Sequence, residues 1–391
     1  MLTIFAPTAT VILSQNPMFY QVTTDTTLTS LLRLNATIHA RSNEVDSWET
    51  ITTLQLTYSP FNATTVFDIR SIVSNLLEIA ALVGPDTALV DSTHSKQIKL
   101  SLFETNLGSD TPLDTAIETD PFWCIKGITD FLKASEASNY NFQEAYLNKF
   151  LSQMPRTRTV YFGQPFCVSF ANLSETIDTY VFRCFVFWEN GEDDLIQETV
   201  TLDFGKIKTF VCDDSLFTIP TGPFQKVKRV QLKLYSEADD ELDSFTFNYQ
   251  SFSRTRHFVY LNNLGGYDFL TCTGLLEQKI KTEAKTIATT VYQNEYTSQQ
   301  PDNLEVDFRV DSVYKINTGM RTRAEIDSFL AFFYSPQAFL FVKNGTETSD
   351  FWYIPVSKKL AATYRKDKAY EHAISFEFQT LFNPKTAYPL K

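Results

Sequence analysis

Apolar and polar residues alternate through most of this chain. In Leu32-Arg-Leu-Asn-Ala-Thr-Ile-His-Ala40 the residues Leu32, Leu34, Ala36, Ile38 and Ala40 fall on one side of an extended backbone. Arg33, Asn35, Thr37 and His39 fall on the other, which is the period of a strand with one buried face. Thr53 to Tyr58 alternates in the same way, and the polar stretch Ser42 to Ser47 between the two predicts a hairpin. Ile69, Ile72, Val73, Leu76, Leu77 and Ala80 then change to helical spacing, with Asp68 as N-cap and Gly84-Pro85 as the stop. A short amphipathic helix is therefore predicted to cover one side of the first sheet.

A second β-rich block opens after Met154-Pro155. Tyr180 to Trp188 is a nearly continuous apolar run, read as a strand buried on both faces and ending at the acidic turn Glu189 to Asp194. Val230, Leu232 and Leu234 alternate against Arg229, Gln231 and Lys233, and Phe245, Phe247 and Tyr249 against Thr246 and Asn248. The polar residues Ser236 to Ser244 join them as a hairpin. A third block predicts strands at Phe258 to Leu261, Tyr267 to Cys272, Leu304 to Val310, Ala338 to Val342 and Ile374 to Thr380. One helix interrupts it: Thr322-Arg-Ala-Glu325 is a capping box, Ile326, Phe329, Leu330 and Phe333 form a buried stripe, and Ser335-Pro336 ends it. The fold class expected is mainly β, with β-sandwich or β-barrel-like domains and a few short helices. The domains expected are 1–155, 156–252 and 253–391. Arg156-Thr-Arg-Thr-Val-Tyr-Phe162 and Arg254-Thr-Arg-His-Phe-Val-Tyr260 echo one another across the second boundary, which raises duplication of a module.

Glycine changes the picture locally. The chain has 12 Gly in 391 residues, about 3% against a usual 7% or so. The doubled Gly265-Gly266 between two strand-like runs therefore marks a backbone that needs φ > 0, and a tight reversal is predicted over Asn262 to Gly266.

Composition narrows the function classes. Aromatics are 14%, with 34 Phe and 18 Tyr, too many for a disordered chain. A formal net charge of −12 repels phosphate backbones, so nucleic acid is not an expected partner. Cys124, Cys167, Cys184, Cys212 and Cys272 are an odd, scattered set, read as reduced thiols of a protein made in a reducing cytoplasm. Pro7 and the lack of a basic leader argue against a secretory signal, and the lack of a long apolar run argues against a membrane span.

Templates for chemistry fail. His39, His94, His257 and His372 are isolated, and no metalloprotease, nucleophile-elbow, dinucleotide or phosphate-loop motif occurs. Glu192-Asp193-Asp194 and Glu237 to Asp243 could offer oxygen ligands to Ca²⁺ but lack the spacing that wraps an ion. No catalytic, cofactor or metal residue is assigned, and no enzyme is expected. Phe351, Trp352, Tyr353, Ile354 and Val356 lack a polar face, which makes them candidates for contact with another subunit.

Several of these segments together resemble a known group. Asn262-Asn-Leu-Gly-Gly-Tyr-Asp268, the capped helix before Ser335-Pro336, Trp352-Tyr-Ile-Pro-Val356 and Ala373-Ile-Ser-Phe-Glu-Phe378 are similar to tail and baseplate proteins of tailed phages and prophages of Bacteroides-type bacteria. So are Ser14-Gln-Asn-Pro17, Leu54 to Pro60, Phe67-Asp-Ile-Arg-Ser-Ile72, Trp123 with Lys126-Gly127, and Pro155-Arg-Thr-Arg158. The resemblance implies a structural protein of the virion tail, made in the bacterial cytoplasm. It implies a distal-tail-like homo-oligomeric ring that docks neighbouring tail or receptor-binding proteins. An adhesin or carbohydrate-binding module is the alternative reading, and a glycan hydrolase the third.

Overall fold

The fold is that of a computed structural model, which describes residues 2–7, 9–25, 32–58, 63–77, 89–91, 94–128, 141–191, 193–212, 226–252, 254–288, 303–343, 351–363 and 373–381. It is mainly β, with several sandwich-like sheets and short helices. Backbone contacts divide it into two compact units. The first holds residues 1–250 together with Val259–Phe269, and the second holds Ser251–Phe258 and Leu270–Lys391. The boundary expected at 155 lies inside the first unit.

The first unit begins with β1 (Leu2–Phe5), β2 (Val11–Leu13), β3 (Phe19–Thr24), β4 (Leu32–Arg41), β5 (Glu49–Thr57) and β6 (Thr64–Asp68). Helix α1 (Arg70–Leu76) follows, then β7 (Leu89–Asp91), β8 (Ser95–Asn106), β9 (Ile117–Glu118) and β10 (Phe122–Ile125). Two sheets form here, one ordered β1-β3-β6 and one β2-β10-β8-β4-β5 with β9 on β8. The inward residues of both, with Val73 of α1, share one apolar cluster. The alternation read from the sequence is present: Leu32, Leu34, Ala36, Ile38 and Ala40 are buried, and Leu34 pairs in register with Leu56.

Asp68 does not occupy the N-cap position, which is Ile69. Its Oδ1 nevertheless accepts from the N–H groups of Arg70 at 2.9 Å and Met18 at 3.2 Å, satisfying one of the free donors of the helix start. Ala80 of the expected helical stripe and the expected stop Gly84-Pro85 lie outside the described residues.

The first unit continues through α2 (Phe142–Tyr146), β11 (Thr157–Tyr161), β12 (Phe166–Ala171), β13 (Asp178–Trp188), β14 (Asp193–Leu202), β15 (Ile207–Cys212), β16 (Val227–Ser236) and β17 (Glu241–Gln250). A five-stranded sheet, β11-β17-β16-β13-β14, faces a three-stranded one, β12-β15-β7. Rings fill the space between them: Phe182 lies 4.2 Å from Phe210 and 6.4 Å from Phe170. The run Tyr180 to Trp188 is not covered on both faces. Tyr180, Phe182, Cys184, Val186 and Trp188 are buried, but the intervening residues are only half-buried. On that outer face long cations lie over the rings: Arg229 over Phe187 at 4.2 Å, Lys233 over Phe185 at 5.8 Å and Arg183 over Tyr235 at 4.4 Å. Side chains of the neighbouring strand thus shade the apolar outer rings, so the apolar run needs no second sheet.

The remaining elements are β18 (Arg256–Leu261), β19 (Tyr267–Cys272), β20 (Leu276–Ala288), β21 (Asn303–Asn317), α3 (Arg323–Tyr334), β22 (Ala338–Lys343), β23 (Phe351–Thr363) and β24 (Ser375–Thr380). They form a sheet ordered β19-β18-β22-β23-β24-β21-β20. Helix α3 starts at the capping box Thr322–Glu325, with both reciprocal bonds present. Its buried side includes Phe332, while Leu330 is half-buried. Phe332, Phe376 and Phe378 surround Phe258 at 5.1 to 5.6 Å, and these rings are the core of the second unit. Lys358 on β23 donates to the carbonyls of Phe332 and Ser335, both at 2.6 Å, and so closes the C-terminal end of α3.

Strand β20 has no counterpart among the sequence expectations. With β21 it makes a ribbon of 13 and 15 residues. β24 pairs with β21 only over Tyr314–Asn317, so the ribbon from Asn303 to Val313 runs roughly 35 Å at strand rise beyond that pairing.

Candidate functional site

The turn Asn262–Gly266 is densely bonded. Asn262 is 2% exposed and its amide is fully used. Its Oδ1 accepts from the N–H of Leu264 at 2.8 Å and of Gly266 at 3.0 Å, folding the turn onto itself. Its Nδ2 donates to the Leu151 carbonyl at 2.7 Å and to Asp268 Oδ2 at 2.8 Å, tying the turn to distant chain. Ser152 Oγ donates to the other Asp268 oxygen at 2.7 Å. The Tyr267 N–H donates to Ser169 Oγ at 2.8 Å, and that hydroxyl also bonds Thr209 Oγ1 at 2.8 Å.

The two glycines do different work. Gly265 has φ +83°, and a Cβ there would collide with Ile125 Cγ2 and sit 2.9 Å from the Lys126 carbonyl oxygen. Gly266 has no positive φ. A Cβ on it would strike the Leu151 carbonyl oxygen and approach Ser169 Cβ to 3.1 Å. The doubled glycine is therefore one αL residue and one point of close backbone approach. A third glycine, Gly127, also packs against the turn: a Cβ on it would come within 2.5 Å of the Asn263 carbonyl oxygen.

Two ionisable groups sit in this network. His94 is fully buried and bonds the Gly265 carbonyl at 2.5 Å, so Nε2 carries the proton. Burial lowers its pKa to about 4; the carbonyl bond opposes that and the nearby Lys126 adds to it. Asp268 is 2% exposed, and burial raises its pKa to about 6 against the pull of Ser152, Asn262, Arg158 and Arg156. The Arg158 guanidinium lies 4.1 Å from the Phe269 ring and donates to the Phe269 carbonyl at 3.3 Å. A carboxyl with a raised pKa can suggest proton transfer. Here every bond except one runs to backbone or hydroxyl within a closed core, so the arrangement locks a turn.

The other candidates fall elsewhere. On β23, Tyr353 and Ile354 are half-buried and Val356 is 5% exposed, while the side chains of Phe351 and Trp352 lie outside the described residues. Tyr353 meets Phe341 at 5.4 Å and Phe339 at 6.3 Å across β22. These residues belong to the second unit and Gly265 and Gly266 to the first. At the tip Glu237 to Asp243, Asp239 pairs with Arg183, Glu241 with Lys233 and Asp243 with Arg156; at the other, Asp194 accepts from the Trp188 indole N–H at 3.0 Å and Glu192 lies outside the described residues. Among the described residues no three His, Cys, Asp or Glu converge as metal ligands. A cleft of about 350 Å³ is lined by Leu2, Phe103, Glu104, Asp114, Thr115 and Ile117. The ring of Trp48 lies under Arg41 at 4.4 Å and Lys99 at 4.8 Å.

Sequence reasoning missed Asp268, Ser152, Ser169 and His94. One signal was present. Asp268 interrupts Tyr267-Asp-Phe-Leu270, an otherwise apolar strand, and a carboxyl there requires buried partners.

No protein-family model matches the chain, and no curated protein matches it. Among solved structures it is similar to the crystal structure of the calcium binding domain CBD12 of CALX1.1, at 7% identity over 63% of this chain and 100% of that one. The TM-score is 0.20, at which the likeness carries no argument.

Proposed function

We propose that this chain is a structural building block of a phage tail or baseplate, assembling with its own copies and docking neighbouring tail proteins. The observation that carries the reading is the β20–β21 ribbon. Among the described residues no third strand joins it between Asn303 and Val313, and an isolated two-stranded ribbon is marginal in water. A long ribbon with two open edges gains most of its order from a neighbour that adds a strand or covers a face. The register pairs Leu304 with Ile287 and Glu305 with Thr286 near the far end and, past an irregularity between Glu283 and Lys285, Arg309 with Glu283, Val310 with Thr282 and Asp311 with Lys281. The sequence resemblance to tail proteins gives this building block its setting.

The test is cryo-EM and mass photometry of the purified protein and of particles from the producing bacterium. Closed oligomers, and density for this chain in the tail, are expected. Replacing 283–309 by a short turn should leave the helical signal of α3 unchanged and abolish the oligomer. A monomer at every concentration, absent from particles, would overturn the reading.

A further inference from the structure

The small sheet β1-β3-β6 buries one face and leaves the other in solvent. Leu2, Ile4, Tyr20, Val22 and Phe67 point into the first core cluster. On the outer face, register sets Phe5 opposite Gln21 and Gln21 opposite Val66, with Phe19 two residues along β3. Phe5 is 62% exposed, Phe19 57% and Val66 60%. Three large apolar side chains thus ring one glutamine, since diagonal neighbours on a sheet are about 7–8 Å apart. The remaining outer positions are Thr3, Thr23 and Thr64, with Asp68 at the margin, where it is paired with Arg70 at 3.2 Å.

Beside this face runs an open strand edge. β1 is terminal in its sheet, and none of its residues Leu2-Thr-Ile-Phe5 is charged. Two longer terminal strands are treated differently, whereas β5 carries only Glu49 at its start. β14 carries Asp193, Asp194 and Glu198, and β20 carries Glu277, Lys279, Lys281, Glu283 and Lys285. Charge on an edge discourages strand addition, and β1 lacks that protection.

Area decides the size of the occupant. At these exposures the three side chains offer on the order of 300 Å² of apolar surface, given about 150–250 Å² for a whole aromatic side chain. A stable globular interface needs roughly 800 Å² from each partner, so neither a second copy nor a folded domain is held by this face alone. An extended segment is different, because the backbone of β1 adds hydrogen bonds that the side-chain area does not count.

We propose that β1 receives an extended, uncharged segment of another protein as an added strand, its alternate apolar residues landing beside Phe5. This site is independent of the ribbon and of any assembly the ribbon makes. The test selects a displayed random 12-residue peptide library on the full-length protein, with Phe5→Lys and Val66→Lys variants as controls. Both positions are exposed, so the fold should be retained, which thermal melting checks. Enriched peptides should alternate apolar and neutral polar residues, bind at least tenfold more weakly to Phe5→Lys, and slow amide exchange across Leu2–Phe5. Enrichment of acidic or helical peptides, no enrichment, binding insensitive to Phe5→Lys, or protection mapping elsewhere would each overturn the proposal. So would a dimer in sedimentation that Phe5→Lys dissolves, which would make a second copy the occupant.

Discussion

Replacing Asn262 tests whether the turn is held by its side chain or merely accompanied by it. Asn262→Ala removes one acceptor and one donor group that together make four bonds between 2.7 and 3.0 Å. The N–H groups of Leu264 and Gly266 and the Leu151 carbonyl are then left without this partner in a site closed to water. Each buried orphan costs about 1–3 kcal/mol, and because the four are coupled the expected loss is about 3–5 kcal/mol. Asn262→Asp sharpens the test. It keeps the two accepted bonds but turns the two donated ones into oxygen facing oxygen, with a second carboxylate against Asp268. Two carboxyls at that distance share a proton, so their joint ionisation moves to higher pH. The variant should therefore be least damaged near pH 5, where the shared proton restores a donor, and most damaged near pH 8. The difference should exceed about 1.4 kcal/mol, one pKa unit of linkage. Equilibrium urea unfolding followed by the fluorescence of buried Trp123, at both pH values, measures this. A loss below about 1 kcal/mol for Asn262→Ala, below the range for even one orphan, would refute the reasoning. So would a pH-independent penalty for Asn262→Asp.

Three further predictions rest on separate contacts. Gly265→Ala and Gly266→Ala should both destabilise in thermal melts; Gly265→Asn, which tolerates αL better, should recover part of the backbone term only at 265. Burial lowers the pKa of His257 to about 3 and that of His94 to about 4. Both groups favour the native state above their unfolded value of 6.5, and that stability is lost as pH falls toward the folded values. Asp268, raised to about 6, works the opposite way: its contribution is present below 3.8 and is lost as pH rises toward 6. Urea midpoints from pH 8 to pH 4 should show a net loss on acidification that His257→Gln makes shallower. Lys358→Met should lower stability by about 1–3 kcal/mol, because two carbonyls at the end of α3 lose their donor; hydrogen exchange should rise in the last turn of α3 and not in its first.

What the sequence disclosed depended on whether its causes were local. The capping box at Thr322 and the alternation of Leu32 to Ala40 are written within a few residues, and both could be read directly. β20 could not. In Leu276-Glu-Gln-Lys-Ile-Lys-Thr-Glu-Ala-Lys285 the Lys, Glu and Ala content favours a helix, and only pairing with a strand beginning at Asn303 makes it extended. The run at Tyr180 gave the right element with the wrong surroundings, since the cations over its outer face come from β16 and from Arg183 itself. At the candidate site the doubled glycine was visible. Its partners Leu151, Ser169 and Ile125 lie about 100 residues or more away, and no spacing rule connects them. That distance also explains why one shared reason was inferred for two glycines that have different ones.

The same long-range bonding decides where the chain can be cut. The succession of strand-rich blocks along the sequence suggests a domain end at 252, yet Val259–Phe269 belongs to the compact unit built by the preceding residues. A fragment ending at 252 would lose Leu264 from the cluster that holds Trp123 and Ile125, and the Phe269 ring 5.8 Å from Phe247. It would also leave Leu151 O, Ser152 Oγ, Ser169 Oγ and His94 Nε2 without their present partners. Burying a leucine or phenylalanine contributes about 1.5–3 kcal/mol and each orphan subtracts about 1–3, a total comparable with the whole stability of an ordinary domain. Residues 1–252 should therefore melt without a cooperative transition, while 1–272 should regain one, with slow amide exchange returning at Leu151 and Tyr267. If 1–252 instead melts at the temperature of the intact first unit, the hairpin is an ornament on a finished core, and the hydrogen bonds at Asn262 hold nothing but themselves.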